Sequence, residues 1–312
     1  MFKKVRRITK EVAVTIYNSI FNKPIGYIYM FHRVAPADGK LDVIDELRVS
    51  PEYFRQFIKD KISGGVVKFV DIQQVTDCIS SNIEIEKPFG IITFDDGYED
   101  NFIYAYPILK ELKIPFTIYV SVNLVNEGQP IWNYPLILEQ IVRTYDELVL
   151  GNGQKYQCIT KEEKNNVFRQ LKALIFSFDY KTFHNDFIST FGNYIDTIKF
   201  DRNMLSWNQI LELSQDDLCT IGSHTMSHCR LSIKDKDDLM YELKNSKDIL
   251  SQKINKPVEH LAYPYGWITD VSEEAVNVAN EVGYKSALHS FGGPIREKDK
   301  DLFHLHRIMI NE

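Results

Sequence analysis

Two short stretches hold side chains whose types and spacing could do chemistry. Ile91–Asp100 reads IITFDDGYED: an apolar, β-favouring run that ends on two adjacent carboxylates and a glycine. In a continuing strand, neighbouring side chains point to opposite faces, so Asp95 and Asp96 can share one cavity only if the strand stops and the chain turns, which Gly97 permits. A lone Asp-Asp-Gly is commonly no more than a polar turn. The second stretch is Gly222–His228, GSHTMSH, with His224 and His228 four residues apart. On a helical turn that spacing puts both imidazoles on one face and suits a shared metal ion.

Two histidines and one carboxylate leave a zinc ion an open position for water, as in catalytic sites. Zinc lowers the pKa of that water from about 15.7 to roughly 7. The second carboxylate of the pair is then available as a base. DDGYED lacks the alternating ligands and the twelfth-position Glu of a calcium loop. A third stretch, Leu261–Gly266 (LAYPYG), adds a tight turn at Pro264 and Gly266 whose backbone N–H could face an oxyanion.

These groups need elements to hold them. From Gly26 onward, short apolar runs alternate with helical patterns. IGYIYMF, VVKFVDI, FGIITF, FTIYVSV, LCTIGSH, HLAYPYG, YKSALHS and FHLHRIMI read as strands, while Ser50-Pro51-Glu52 and Ser206 read as helix starts. A long charged helix is expected from roughly Ile233 to Ile254. Such alternation predicts a parallel sheet covered by helices. The α/β fold class expected is a distorted (β/α) barrel of about seven parallel strands, with an open doubly wound sheet as the alternative. Between about 126 and 203 strand signal is weak, and stretches such as PLILEQIVRTYDELVL read as a helical insertion. The expected organisation is a basic amphipathic segment over 1–25, then a barrel over 26–312 interrupted by that insertion.

At 312 residues, 44% hydrophobic and 26% charged, the chain has an ordinary globular composition, and its net charge of −6 argues against a nucleic-acid binder. The four cysteines form no C-x-x-C pair and fit a reducing compartment. The N-terminus, MFKKVRRITKEVAVTIYNSIF, is basic but lacks an apolar h-region, and no run reaches a transmembrane length. The expectation is a cytoplasmic protein. Lys3, Lys4, Arg6 and Arg7 could add weak peripheral contact with the inner membrane face.

Taken in order, TFDDG at Thr93–Gly97, SHTMSH at Ser223–His228 and AYPYG at Ala262–Gly266 resemble the polysaccharide deacetylases, the carbohydrate esterase family 4 group. YMFHRV at Tyr29–Val34, LSWNQI at Leu205–Ile210 and HRIMI at His306–Ile310 add to the likeness. The resemblance implies a metal-dependent hydrolase that removes acetyl groups from a polysaccharide or glycan precursor, with Zn²⁺ or another divalent transition metal. It assigns Asp95 as general base, Asp96, His224 and His228 as metal ligands, and the turn at Tyr265 as a backbone oxyanion donor.

There are departures. Many members carry an Arg two residues before the Pro of the third motif, where this chain has Ala262, so the partner of Asp95 is open. For the late general acid, His306 and His304 are candidates, and His32 could compensate. Trp132, with Tyr134, could stack on sugar rings; His32 and Pro264 complete the candidate substrate contacts. The reading is an N-deacetylase of amino sugars. An O-acetyl carbohydrate esterase and a non-catalytic carbohydrate-binding descendant stand as alternatives.

Overall fold

The computed structural model describes residues 24–36, 47–65, 67–83, 88–125, 134–178, 182–195, 197, 204–296 and 299–312. The basic N-terminal cluster, Trp132 and both ends of the expected insertion lie outside the described residues.

Seven parallel strands close a barrel. They are β1 (Pro24–Phe31), β2 (Phe89–Phe94), β3 (Phe116–Val120), β4 (Cys219–Ser223), β5 (His260–Ala262), β6 (Ser286–Gly292) and β7 (Leu305–Met309). Each pairs with the next in the chain, and β7 pairs back onto β1 through Tyr29–Ile308 and Met30–Met309. That last pairing excludes the open-sheet alternative. VVKFVDI gives only the two-residue strand Lys68–Phe69, which pairs with the start of β2, because Asp71 caps a helix that begins at Ile72. Ile295–Arg296 runs antiparallel against the start of β1.

The first helix start follows local chemistry. Ser50 accepts the Tyr53 N–H to cap α1 (Pro51–Ser63), with Pro at its first position. Outward-facing strand residues and the helices bury Phe31, Phe54, Phe94, Phe116, Leu213 and Ile221 in one continuous core.

Between β3 and β4 lies a region with its own core, including Leu138, Ile141, Phe168, Leu171, Phe187 and Phe191. Its helices are α2 (Tyr134–Thr144), α3 (Lys161–Phe176) and α4 (Phe183–Ile195). It is not purely helical. ELV, which reads as the tail of a long helix, instead pairs with Lys155–Gln157 in an antiparallel hairpin. The reason is the Gly151-Asn152-Gly153 turn, in which Gly153 sits at φ 83° and its N–H donates to Leu150 O. Lys164 Nζ donates to the carbonyls of Val142, Arg143 and Tyr145, satisfying the end of α2.

The return to the barrel is again locally specified, since Ser206 and Gln209 form a reciprocal capping box on α5 (Trp207–Gln215). The expected long charged helix differs from its pattern. It starts at Lys236 behind an Asp235 cap and passes through a π turn at Tyr241–Asn245 before α6 (Ser246–Ile254). Among the described residues, no helix is long and apolar enough to cross a membrane.

Candidate active site

The carboxyl ends of β1, β2, β4 and β5 deliver His32, Asp95 with Asp96, His224 with His228, and Tyr265 to one cleft of about 490 Å³. β2 ends at Phe94, and the chain turns at once. Asp96 adopts φ 73° and Gly97 φ 85°, left-handed values that Asp tolerates and Gly favours. The Gly97 N–H donates to Asp95 O, and Gly97 O accepts the Leu205 N–H. Both carboxylates therefore face the cleft, and both are buried.

The histidine pair reaches its geometry without a helix. Thr225 and His228 lie in the left-handed region, at φ 67° and 55°, and fold the segment into a tight loop. Buried Glu242 fixes that loop by accepting the Met226 and Ser227 N–H groups and the Ser227 hydroxyl. The π turn in the following helix falls at this residue, as such turns often do near functional sites. The helical-turn expectation is thus corrected: four-residue spacing brings the rings together, 4.9 Å between centroids, through two strained residues and one buried acid.

His224 Nδ1 lies 2.7 Å from Ala262 O, so that nitrogen donates and Nε2 is left as a ligand atom. His224 Nε2 and His228 Nε2 are 3.4 and 3.1 Å from Asp96 Oδ1. Asp96 Oδ1 is a buried oxygen with no hydrogen-bond partner. One ligand atom from each residue fits within 4.8 Å of the other two. An orphaned carboxylate oxygen facing two imidazole nitrogens suits a divalent transition metal. Burial pushes the Asp96 carboxyl up, but His228 and His224 outweigh it and hold it well below the usual range.

Asp95 has a different partner. Arg307, in the middle of β7 and wholly buried, donates from both terminal nitrogens to the two Asp95 oxygens at 2.7 Å each. Its Nε donates to His289 O, and its guanidinium carbon stands 5.8 Å from the centre of the Tyr119 ring. Tyr119 can occupy that place only because β4 carries Gly222 opposite; a Cβ there would come within 2.4 Å of the ring. Burial pushes Asp95 up, while Arg307 foremost, then His224, pull it below its ordinary value. Arg307 fills the place left open by Ala262. Sequence reasoning misses it as part of a terminal strand, although an Arg inside an otherwise apolar barrel strand needs a buried acid.

The remaining candidates divide. His32 lines the cleft, and burial lowers its pKa against the opposing pull of Asp96 and Asp95. Tyr265, at φ 61°, sets its ring 4.9 Å from that of His228. Its hydroxyl is pushed up by burial. Pro264 shapes the turn, where the Gly266 N–H donates to Pro264 O, but is not among the lining residues. His306 stacks behind Phe291 at 6.0 Å, and His304 pairs with His289 Nε2 at 3.1 Å; neither lines the cleft. The region between β3 and β4 contributes Pro135, Glu139, Phe168, Lys172 and Phe176 to the wall.

The sequence profile of the family described as "Polysaccharide deacetylase" matches residues 84–287. This chain belongs to the polysaccharide deacetylase family. YxkH of Bacillus subtilis (strain 168), a putative polysaccharide deacetylase by name, is 20% identical over 284 residues, which are 91% of this chain and 71% of that protein. The Streptococcus pyogenes deacetylase PplD, solved in complex with acetate, superposes with a TM-score of 0.62 at 20% identity, over 93% of this chain and 94% of that one. A de-N-acetylase from Aggregatibacter actinomycetemcomitans gives 0.60 at 17% identity, over 92% and 95%. At these identities the superpositions show the fold. As a deacetylase the chain is a hydrolase, and its candidate metal triad and Asp95, backed by the buried Arg307, share one cleft.

Proposed function

We propose that the protein is a metal-dependent N-deacetylase acting on amino sugars of an acetylated polysaccharide or glycan precursor. The observation that carries this reading is the division of labour between the adjacent carboxylates. Asp96 faces two imidazole nitrogens, while Asp95 is held ionised by a bidentate arginine. Asp96, His224 and His228 would hold the metal, Zn²⁺ in the simplest case. When bound it supplies Lewis-acid polarisation and an acidified water.

The chain's own groups do the rest. Asp95 accepts the proton of the attacking water, and Arg307 keeps it anionic and aimed. We assign stabilisation of the oxyanion to a backbone N–H of the turn at Tyr265, a residue that lines the cleft. Departure of the amine needs a proton. Of the three candidate histidines for that role, His32 lines the cleft, so we assign His32, in preference to His306, to relay to the amine the proton that Asp95 takes from the water. The Aggregatibacter protein of the same fold is a de-N-acetylase, which favours amide over ester; O-acetyl hydrolysis is the competing outcome of the same assay. A place of action at the inner membrane face, through the N-terminal basic cluster, is part of the proposal and is tested by cell fractionation.

The test is acetate release from a panel of N- and O-acetylated glycans, with metal content measured in parallel. Metal near one equivalent, lost in His224→Ala and His228→Ala together with turnover, is expected. Full metal content in both variants would overturn the ligand set, and release from O-acetylated substrates alone would overturn the amide reading.

A further inference from the structure

The turn that carries Tyr265 continues into Trp267, which lines the same cleft and is 60% exposed. A single exposed aromatic is ordinary on a protein surface. This one is built into a support. Its ring lies parallel to Phe291, 4° between planes and 5.3 Å between centroids. Phe291 is backed in turn by His289 at 5.4 Å and His306 at 6.0 Å. One face of the indole is therefore occupied, and the exposed area belongs to a ring that cannot fold inward.

The backbone is fixed as firmly as the ring. The Trp267 N–H donates to Asp270 Oδ2 at 3.3 Å, and the Asp270 N–H donates to Trp267 O at 2.9 Å. Asp270 Oδ1 stands 3.3 Å from Arg230 Nε. The Arg230 guanidinium lies over Phe176, at 4.6 Å, and over Tyr265, at 5.6 Å. A flat apolar surface is thus held at the rim, ordered before any ligand arrives, which reduces the entropy lost on binding.

We propose that the outer face of Trp267 is a stacking platform for a pyranose ring of the glycan, at a position next to the sugar that loses its acetyl group. This rests on the glycan-deacetylase reading above. A pyranose presents a face of C–H groups that matches the indole, while its hydroxyls stay at the edge in water. Stacking of this kind reads the presence of a neighbouring ring, not its linkage, so the platform selects chains over single sugars. Ile268, 74% exposed, adjoins Trp267. A Trp–Ile pair could instead enter a lipid headgroup layer, and the experiment separates the two.

Binding of β-1,4- and β-1,6-linked pentamers of N-acetylglucosamine is measured by calorimetry on the full chain, as wild type, Trp267→Ala and Trp267→Tyr. KM is measured for the pentamers and for N-acetylglucosamine, and melting temperature and metal content check the fold. Trp267→Ala is expected to raise Kd and KM for at least one pentamer roughly three- to tenfold more than for the monosaccharide, the scale of one aromatic contact. Trp267→Tyr should restore most of the loss. Equal effects on pentamer and monosaccharide, unchanged pentamer binding in Trp267→Ala, or no pentamer binding by the wild type would each overturn the platform. So would loss of binding to anionic phospholipid vesicles with glycan binding intact. If the wild type releases no acetate yet binds a pentamer through Trp267, the deacetylase reading fails and the platform stands. If it deacetylates while Trp267→Ala binds as wild type, only the platform fails.

Discussion

The barrel and the region inserted between β3 and β4 are held together differently. The inserted helices pack on an apolar core of their own, built around Leu171, Phe187 and Phe191. The barrel buries an apolar core too, but at its mouth it also gathers the buried Asp95, Asp96, His224 and Arg307, whereas the inserted helices bury Glu139, paired within α2 to Arg143. Charges out of water persist only when they are paired and hydrogen-bonded. The barrel is therefore the part whose packing and chemistry cannot be altered separately. The inserted region reaches the cleft as wall, through Phe168, Lys172 and Phe176, so its effects should fall on which substrate is accepted.

The largest expected effect tests the barrel's side of this contrast. Asp95→Asn should keep its metal and lose about 10²- to 10⁴-fold in turnover, the usual worth of a positioned base. Near-wild-type kcat at full metal occupancy would remove Asp95 from that role. Arg307→Met leaves a carboxylate buried without its partner and should cost about 3–5 kcal/mol of stability, read by denaturant melts. A loss under about 1 kcal/mol would mean that water or another group replaces the guanidinium. In the inserted region, Leu171→Ala should cost about 2–5 kcal/mol, most of it as a cavity. Its kcat should fall far less than that of Asp95→Asn. A comparable collapse of kcat would show that the two regions are mechanically one.

The smallest effect depends on pH and belongs to the barrel strands. His260, on β5, is buried between Ser286 Oγ at 2.8 Å and Gln73 Oε1 at 2.9 Å. Burial, helped by Lys285, lowers its pKa to about 4 from an ordinary 6.5. The unfolded chain therefore binds the proton more readily. The stability due to the neutral ring is complete above about pH 6.5 and is lost as pH falls toward 4, by at most about 3 kcal/mol. Burial lowers His289 to about 4 as well, and it contributes in the same window. His260→Gln should flatten the stability profile between those pH values by part of that amount. An unchanged profile would show that the ring is already charged in the fold.

What can be read from the chain follows from the range of the interactions involved. The barrel strands appear as β-rich apolar runs, and the caps at Ser50 and Ser206 are local hydrogen bonds within three residues. Asp95, Asp96, His224 and His228 stand out because two chemically suited pairs each follow a strand. Other features depend on contacts that no local pattern specifies. Arg307 meets Asp95 from 212 positions away, across a ring that exists only once β7 is in place. Glu242, itself within a π turn, shapes the histidine loop from 16 positions beyond Met226. The hairpin at Glu147–Gln157 is an intermediate case. Its Gly-Asn-Gly turn is a strong local signal, but the helical period of the residues before it masks the strand that leads in.

Closure of the ring by β7 also sets a timetable. During synthesis, Asp95 leaves the ribosome 212 positions before Arg307 does. A nascent chain halted before Leu305 has the helices and most of the strands, but Asp95 lacks the Arg307 guanidinium and the first strand's far edge is bare beyond its pairing with Ile295–Arg296. On the proposed role of Asp95, competence for the reaction would arrive with β7, and a chain truncated just before it should be inactive while keeping both acids and the two histidines of the cleft.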